Sequence, residues 1–245
     1  MNKMSSGTKQ LLSIILSLAV YAFYLNWKIS LLLVVSIAFH EQCHLLAAKK
    51  MGLSTNRFYL IPFLGGVALI TGKIKRYSQD AFVSLMGPVG GGALAMLTAG
   101  LWFITGWTWL AAAASFMCLI NVFNLMPLSF MDGGRVLNSI CYSINKTFGM
   151  VIYSLSTLVA CVGIYYLNPM VALMIIMFGG PAVLKEINNW RFYREGKAWL
   201  CTDDYLHAPK PLTYKQMALT LAGWFATAGI LLQTMLYLNT QLPHH

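Results

Sequence analysis

The sequence predicts an all-α polytopic membrane protein of about seven transmembrane helices, with a short membrane-associated β-hairpin between helices two and three. Three observations predict it. Of the 245 residues, 58% are hydrophobic and only 10% charged, and mean hydropathy is +0.65, a composition suited to lipid rather than to water. Seven apolar stretches approach or reach bilayer-spanning length, at about 11–27, 29–48, 80–105, 107–127, 148–167, 169–184 and 214–238. Between the second and third, the segment 56–72 is too short and too broken to span, yet is rich in strand-forming residues.

The first stretch is apolar from Leu11 to Leu25 with no cleavage site after it, so it reads as an anchor and not a removed signal. The second carries the motif discussed below. In the 56–72 segment, Pro62 and Gly65-Gly66 stop a helix, while Phe58, Tyr59, Ile61, Val67, Leu69 and Ile70 favour strands. Two short strands with a Gly-Gly bend follow, dipping toward the motif helix; the alternative is an interfacial loop. Met86-Gly87-Pro88-Val89-Gly90-Gly91-Gly92 is expected to break the third span, unless its small residues serve close helix packing. The fourth is interrupted by Asn121 and Asn124, and the sixth is short. The segment 185–213 is polar, aromatic and mixed in charge, too small for a domain of its own.

The formal net charge of +10 has a topological reading. Lys3 and Lys9 precede the first span; Lys49, Lys50, Arg57, Lys73, Lys75 and Arg76 follow the second. Arg135 and Lys146 follow the fourth, and six further Lys and Arg follow the sixth, leaving only Lys28 on the opposite side. A cytoplasmic N-terminus puts every basic cluster inside, with the C-terminus outside. The partner of this charge is then a lipid bilayer surface and not nucleic acid, for which no basic-aromatic surface exists. Cys43, Cys118, Cys141, Cys161 and Cys201 are scattered and odd in number, no disulfide framework.

His40-Glu41-Gln42-Cys43-His44 lies inside the apolar run from Leu31 to Ala48, where charge is expensive and marks function. Residues i and i+4 share a helix face, so both imidazoles can grip one metal ion. Glu41 projects about 100° round from His40, beside the metal, where it can handle the proton of a water. A zinc site needs a third protein ligand. Only Asp132 among the remaining acids borders a span, after Pro127 and before Gly133-Gly134. Asp132 could instead cap a helix starting at Arg135. Cys43 is a conceivable thiolate ligand, and Asn124 could bond substrate backbone or simply a neighbouring helix.

HEQCH in an apolar helix, followed by Asn124-x-x-Pro127-x-x-x-x-Asp132-Gly133-Gly134 in a later one, resembles the site-2 protease family of intramembrane zinc metalloproteases. Pro62-Phe63-Leu64-Gly65-Gly66-Val67-Ala68 resembles that family's Gly-Gly strand loop, and Met86-Gly87-Pro88 the start of its third core helix. The likeness covers about residues 30–145. It implies Zn2+ held by His40, His44 and Asp132, Glu41 as catalytic base, and hydrolysis of peptide bonds in or near transmembrane segments of membrane-protein substrates. Asn124, Gly65 and Gly66 are its implied substrate contacts. The expected organisation is an anchor (1–28), a catalytic core (29–146), two further spans (147–184), a cytoplasmic segment (185–213) and a final span with external tail (214–245). The expected location is a bacterial cytoplasmic membrane; a regulatory partner or homo-oligomer is not specified. Two positions depart from the family. Cys43 stands where it usually has a small residue, and Gly91 where it commonly has asparagine. No PDZ or CBS domain is recognisable. A non-proteolytic metal-binding membrane protein or transporter is the alternative; it would need several midplane ligands along a path, and one cluster is visible.

Overall fold

The computed structural model describes residues 5–62, 65–128, 130–167, 169–197, 200–202 and 209–242. Phe63 and Leu64 of the hairpin bend, and 198–199 and 203–208 of the polar segment, lie outside them. The chain divides into two compact units, one of Met1–Lys73, Leu85–Asn124 and Phe225–His245, the other of Ile74–Ser84 and Leu125–Trp224.

In the first unit, α1 (Ser6–Tyr24) and α2 (Trp27–Lys50) each begin at a capping side chain. Ser5 Oγ accepts from Thr8 N at 3.2 Å and Asn26 Oδ1 from Lys28 N at 2.9 Å, satisfying amides that lack helical partners. Lys49 and Lys50 close α2, where positive charge suits the negative end of the helix dipole. The expected hairpin forms: β1 (Thr55–Ile61) pairs antiparallel with β2 (Gly65–Ile70), Phe58 opposite Ala68 and Ile61 opposite Gly65. Gly65 at φ +93° takes a backbone conformation that a side chain disfavours. Phe58 and Leu60 bury their side chains with Tyr21 of α1 and Val34 and Leu45 of α2. Polar contacts tie β1 to α1: Leu60 N donates to Ser13 Oγ at 3.2 Å, and Arg57 Nη1 to Gln10 Oε1 at 3.0 Å.

α3 (Tyr77–Thr105) runs unbroken through Pro88, so the expected interruption at 86–92 does not occur. The glycines there serve contact: Gly87, Gly90, Gly91 and Gly92 each lie where an added Cβ would collide with a neighbouring side chain. Packing compensates for the hydrogen bond lost at proline. α4 (Thr108–Asn124) follows. Its Ala111 and Ala114 cluster with Ala99 of α3 and Leu238 of the last helix, α8 (Tyr214–Gln241). Ser115 Oγ bonds Asn239 Oδ1 at 2.6 Å.

In the second unit, α5 (Asp132–Ile144), α6 (Lys146–Leu167) and α7 (Pro169–Arg194) follow one another. Asp80, in the first turn of α3, accepts from Arg135 Nη2 at 2.5 Å and from Ser139 Oγ at 3.1 Å. This fixes α5 against the start of α3. Trp224 Nε1 donates to Leu125 O at 2.9 Å. α7 does not stop near residue 184 but continues to Arg194. The residues 185–194 include good helix formers, and Arg191 Nε meets Glu195 Oε1 at 2.8 Å one turn on. That pair raises the Arg191 pKa and lowers that of Glu195, chiefly through their hydrogen bond.

Among the described residues, five helices are long and apolar enough to cross a membrane: Ser6–Tyr24, Trp27–Lys50, Tyr77–Thr105, Lys146–Gly163 and Tyr214–Gln241. α4 is a shorter apolar helix of 17 residues. The expected count of about seven rests on α4 and α7 crossing as well.

Candidate metal centre

The two motif histidines converge. His40 and His44 are one turn apart on α2, and their Nε2 atoms lie 3.0 Å from each other. A tetrahedral zinc at its usual nitrogen distance would hold two such atoms about 3.3 Å apart. His40 is 3% exposed and His44 5%, so their rings are withdrawn from lipid and solvent alike. His40 Nδ1 meets Asn121 Oδ1 of α4 at 2.9 Å. That oxygen can only accept, so Nδ1 carries the proton and Nε2 keeps its lone pair for a ligand bond.

Facing the pair is Gly87 of α3. A Cβ at this position would land on His44 Nε2 and lie 2.7 Å from His40 Nε2. The space in front of both nitrogens is thus kept clear by a missing side chain, as a bound ion requires. Glu41 is also buried, at 7% exposure. Its carboxylate lies under the hairpin: a Cβ at Gly66 would come within 2.6 Å of Glu41 Oε1. The Cys43 side chain packs on Gly90, where a Cβ would sit 2.8 Å from Cys43 Cβ.

These elements coincide with a known family. Residues 28–107 match the family model described as peptidase family M50. The matched segment holds nearly all of α2, the hairpin and nearly all of α3, and so His40, Glu41, His44 and the glycines that face them. A zinc metalloprotease of Methanocaldococcus jannaschii is 29% identical over 174 residues, which are 69% of this chain and 48% of that one. The chain thus spans about half the length of the curated relative it matches. A solved site-2 protease from Methanocaldococcus jannaschii aligns at 19% identity and a TM-score of 0.44, covering 94% of this chain and 93% of that one. With its five span-grade helices and its match to the peptidase model, the chain is an integral membrane protein.

Asp132 belongs to the second unit, at 9% exposure. It is the first residue of α5, whose N-cap is Met131, so it is not the cap of a helix beginning at Arg135. Gly133 beside it allows α5 to start hard against the preceding chain, since a Cβ there would lie 2.6 Å from Met126 O. Asn124 donates to Ile120 O of its own helix at 3.1 Å, not to another helix. Gly65 supplies the turn into β2, and Gly66 the room for Glu41. The residue that sequence reasoning missed is Asn121. It registers in the sequence only as a polar interruption of an apolar span, yet it is wholly buried and touches a motif histidine. A buried amide in an apolar helix was itself the available signal.

Proposed function

We propose that the protein is an intramembrane zinc metalloprotease that cleaves peptide bonds in or near transmembrane segments of membrane-protein substrates. The observation that carries this reading is the His40–His44 nitrogen pair with buried Glu41 beside it, on a helix apolar enough to span. Its match to the peptidase model and its zinc metalloprotease relative support it. His40, His44 and Asp132 would hold the zinc. Asp132 is a buried acid at the first position of α5, and the N-cap of that helix is Met131. Bound there, zinc would supply the Lewis acidity that makes a water acidic near neutrality and polarises a peptide carbonyl. Glu41 takes the proton of that water and returns it to the leaving amine. A helical substrate must first unwind, because its carbonyls are tied to amides four residues on. The β2 edge, with Gly65 and Gly66 at its start, offers backbone partners to the unwound stretch, and the Asn124 side-chain oxygen could accept from its backbone.

The purified protein is expected to contain one zinc per chain, and Asp132→Ala to lose most of it while keeping helix content. Full zinc retention in that variant, measured by metal analysis, would show that the third ligand lies elsewhere.

The distribution of Lys and Arg supports a cytoplasmic N-terminus and an external C-terminus. His40 then lies thirteen residues past Trp27, the first residue of a helix entering from outside, beyond the middle of a hydrocarbon core about 30 Å thick. Substrates should be cut in the cytoplasm-proximal part of their membrane segment. Sequencing product ends tests this: ends mapping to external loops contradict it, as would a reporter after Leu238 that is active only in the cytoplasm.

A further inference from the structure

The hydrogen bond from His40 to α4 has a second half. Asn121 Nδ2 donates to Met117 O at 2.8 Å, and a backbone carbonyl can only accept. The amide is therefore oriented from behind: turning it over would set Oδ1 against another oxygen. With Nδ2 fixed on Met117, Oδ1 must face His40 Nδ1, and the imidazole must carry its proton there. The room for this arrangement comes from α3. A Cβ at Gly91 would lie 2.6 Å from Asn121 Nδ2 and closer still to Oδ1. Any side chain at 91 would displace the amide. Three helices thus combine: α2 supplies the ring, α4 the acceptor and α3 the gap.

We infer that Asn121 is the positioning residue of the metal centre, fixing the tautomer and ring plane of His40, and that Gly91 is kept bare to admit its amide. This rests on the metalloprotease reading only for its consequence in turnover. The positioning itself concerns the protein without metal. Outer partners of metal-bound histidines typically change affinity or activity about 10–100-fold when lost. The same position explains why this chain has no side chain at 91: the carboxamide space there is already filled from α4.

The test uses the full-length protein in detergent, metal-free and labelled with nitrogen-15 at histidine. Long-range proton–nitrogen spectra should show His40 with its proton on Nδ1, the signal being assigned by its loss in His40→Gln. Asn121→Leu, close in volume but without an acceptor, should move the proton predominantly to Nε2. Zinc affinity by chelator competition should fall about 10–100-fold. Asn121→Asp retains an acceptor oxygen and should keep the Nδ1 signature. Gly91→Ala should act in the same direction as Asn121→Leu, and should add nothing further to Asn121→Ala, in which the colliding amide is gone. If Asn121→Leu does not fold, Gly91→Ala and Asn121→Asp decide. A wild-type His40 protonated on Nε2, or an unchanged tautomer and affinity in Gly91→Ala, overturns the inference. Neither readout needs a substrate, so a protein that binds zinc but cleaves nothing would sink the protease reading and leave this result standing.

Discussion

Glu41→Gln is expected to abolish proteolysis while leaving zinc bound and the fold intact. Glutamine has nearly the same volume and fits the same space beneath Gly66, where the Glu41 carboxylate lies. It can still hydrogen-bond a water, but it cannot take the proton. Loss of a general base typically costs about a hundredfold to ten-thousandfold in rate, and more where the same group must later protonate the leaving amine. The variant therefore separates turnover from metal binding. His44→Ala should differ by losing both, since it removes one of two nitrogens that lie 3.0 Å apart. Rates on a single-span substrate and metal content per chain are the two measurements. Near wild-type cleavage by Glu41→Gln would end the metalloprotease mechanism, whatever the zinc analysis gives.

Gly87→Ala should also silence the protein, by the opposite route. An alanine in a helix is about 1 kcal/mol more favourable than glycine, so the backbone gains. Its methyl, however, would lie 2.7 Å from His40 Nε2 and nearer to His44 Nε2. Both imidazoles would have to turn away from the space an ion needs. The loss in zinc affinity should exceed the roughly 10–100-fold typical of an outer partner, because the obstruction is at the liganding atoms. Chelator competition and thermal melting together read this out. With both proteins metal-free, a cooperative melt like that of wild type together with lost zinc affinity is the expected pair of results; unchanged affinity would mean the ion sits elsewhere.

Much of this was legible from spacing alone. The i, i+4 histidines needed only helical pitch to be placed on one face. The strand-forming residues on either side of Gly65-Gly66 announced the hairpin, because β-branched and aromatic residues flank a bend there. α3 was harder. Pro88 among four glycines reads locally as a break, since the sequence gives no view of the neighbours that hold the helix together: His40, His44, Cys43, Asn121 and Leu231 each fill a space left by a glycine. α7 was misjudged for a related reason. Apolarity sets where a span ends, but helix continues wherever backbone bonds and side-chain pairs allow, and Arg191 with Glu195 allows it. Asn121 and Asn124 are three residues apart and alike in composition. Only tertiary contact distinguishes the one bonded to His40 from the one bonded to its own helix.

The ties between β1 and α1 give the hairpin two unequal sides. Ser13 Oγ already occupies the amide of Leu60, and Arg57 is bound to Gln10, whereas β2 has β1 as its single strand neighbour. In a bilayer, each unsatisfied backbone group exposed to hydrocarbon costs several kcal/mol. Outward amides of β2 that lie at bilayer depth would therefore have to meet water or another polypeptide. Amide hydrogen exchange would register it: outward amides of β2 should exchange quickly, and Leu60 slowly, in a ribbon only two strands wide. With β1 tied to α1, β2 is the side of the ribbon that can take a guest strand. Its arrival would be recorded as protection appearing on β2 alone.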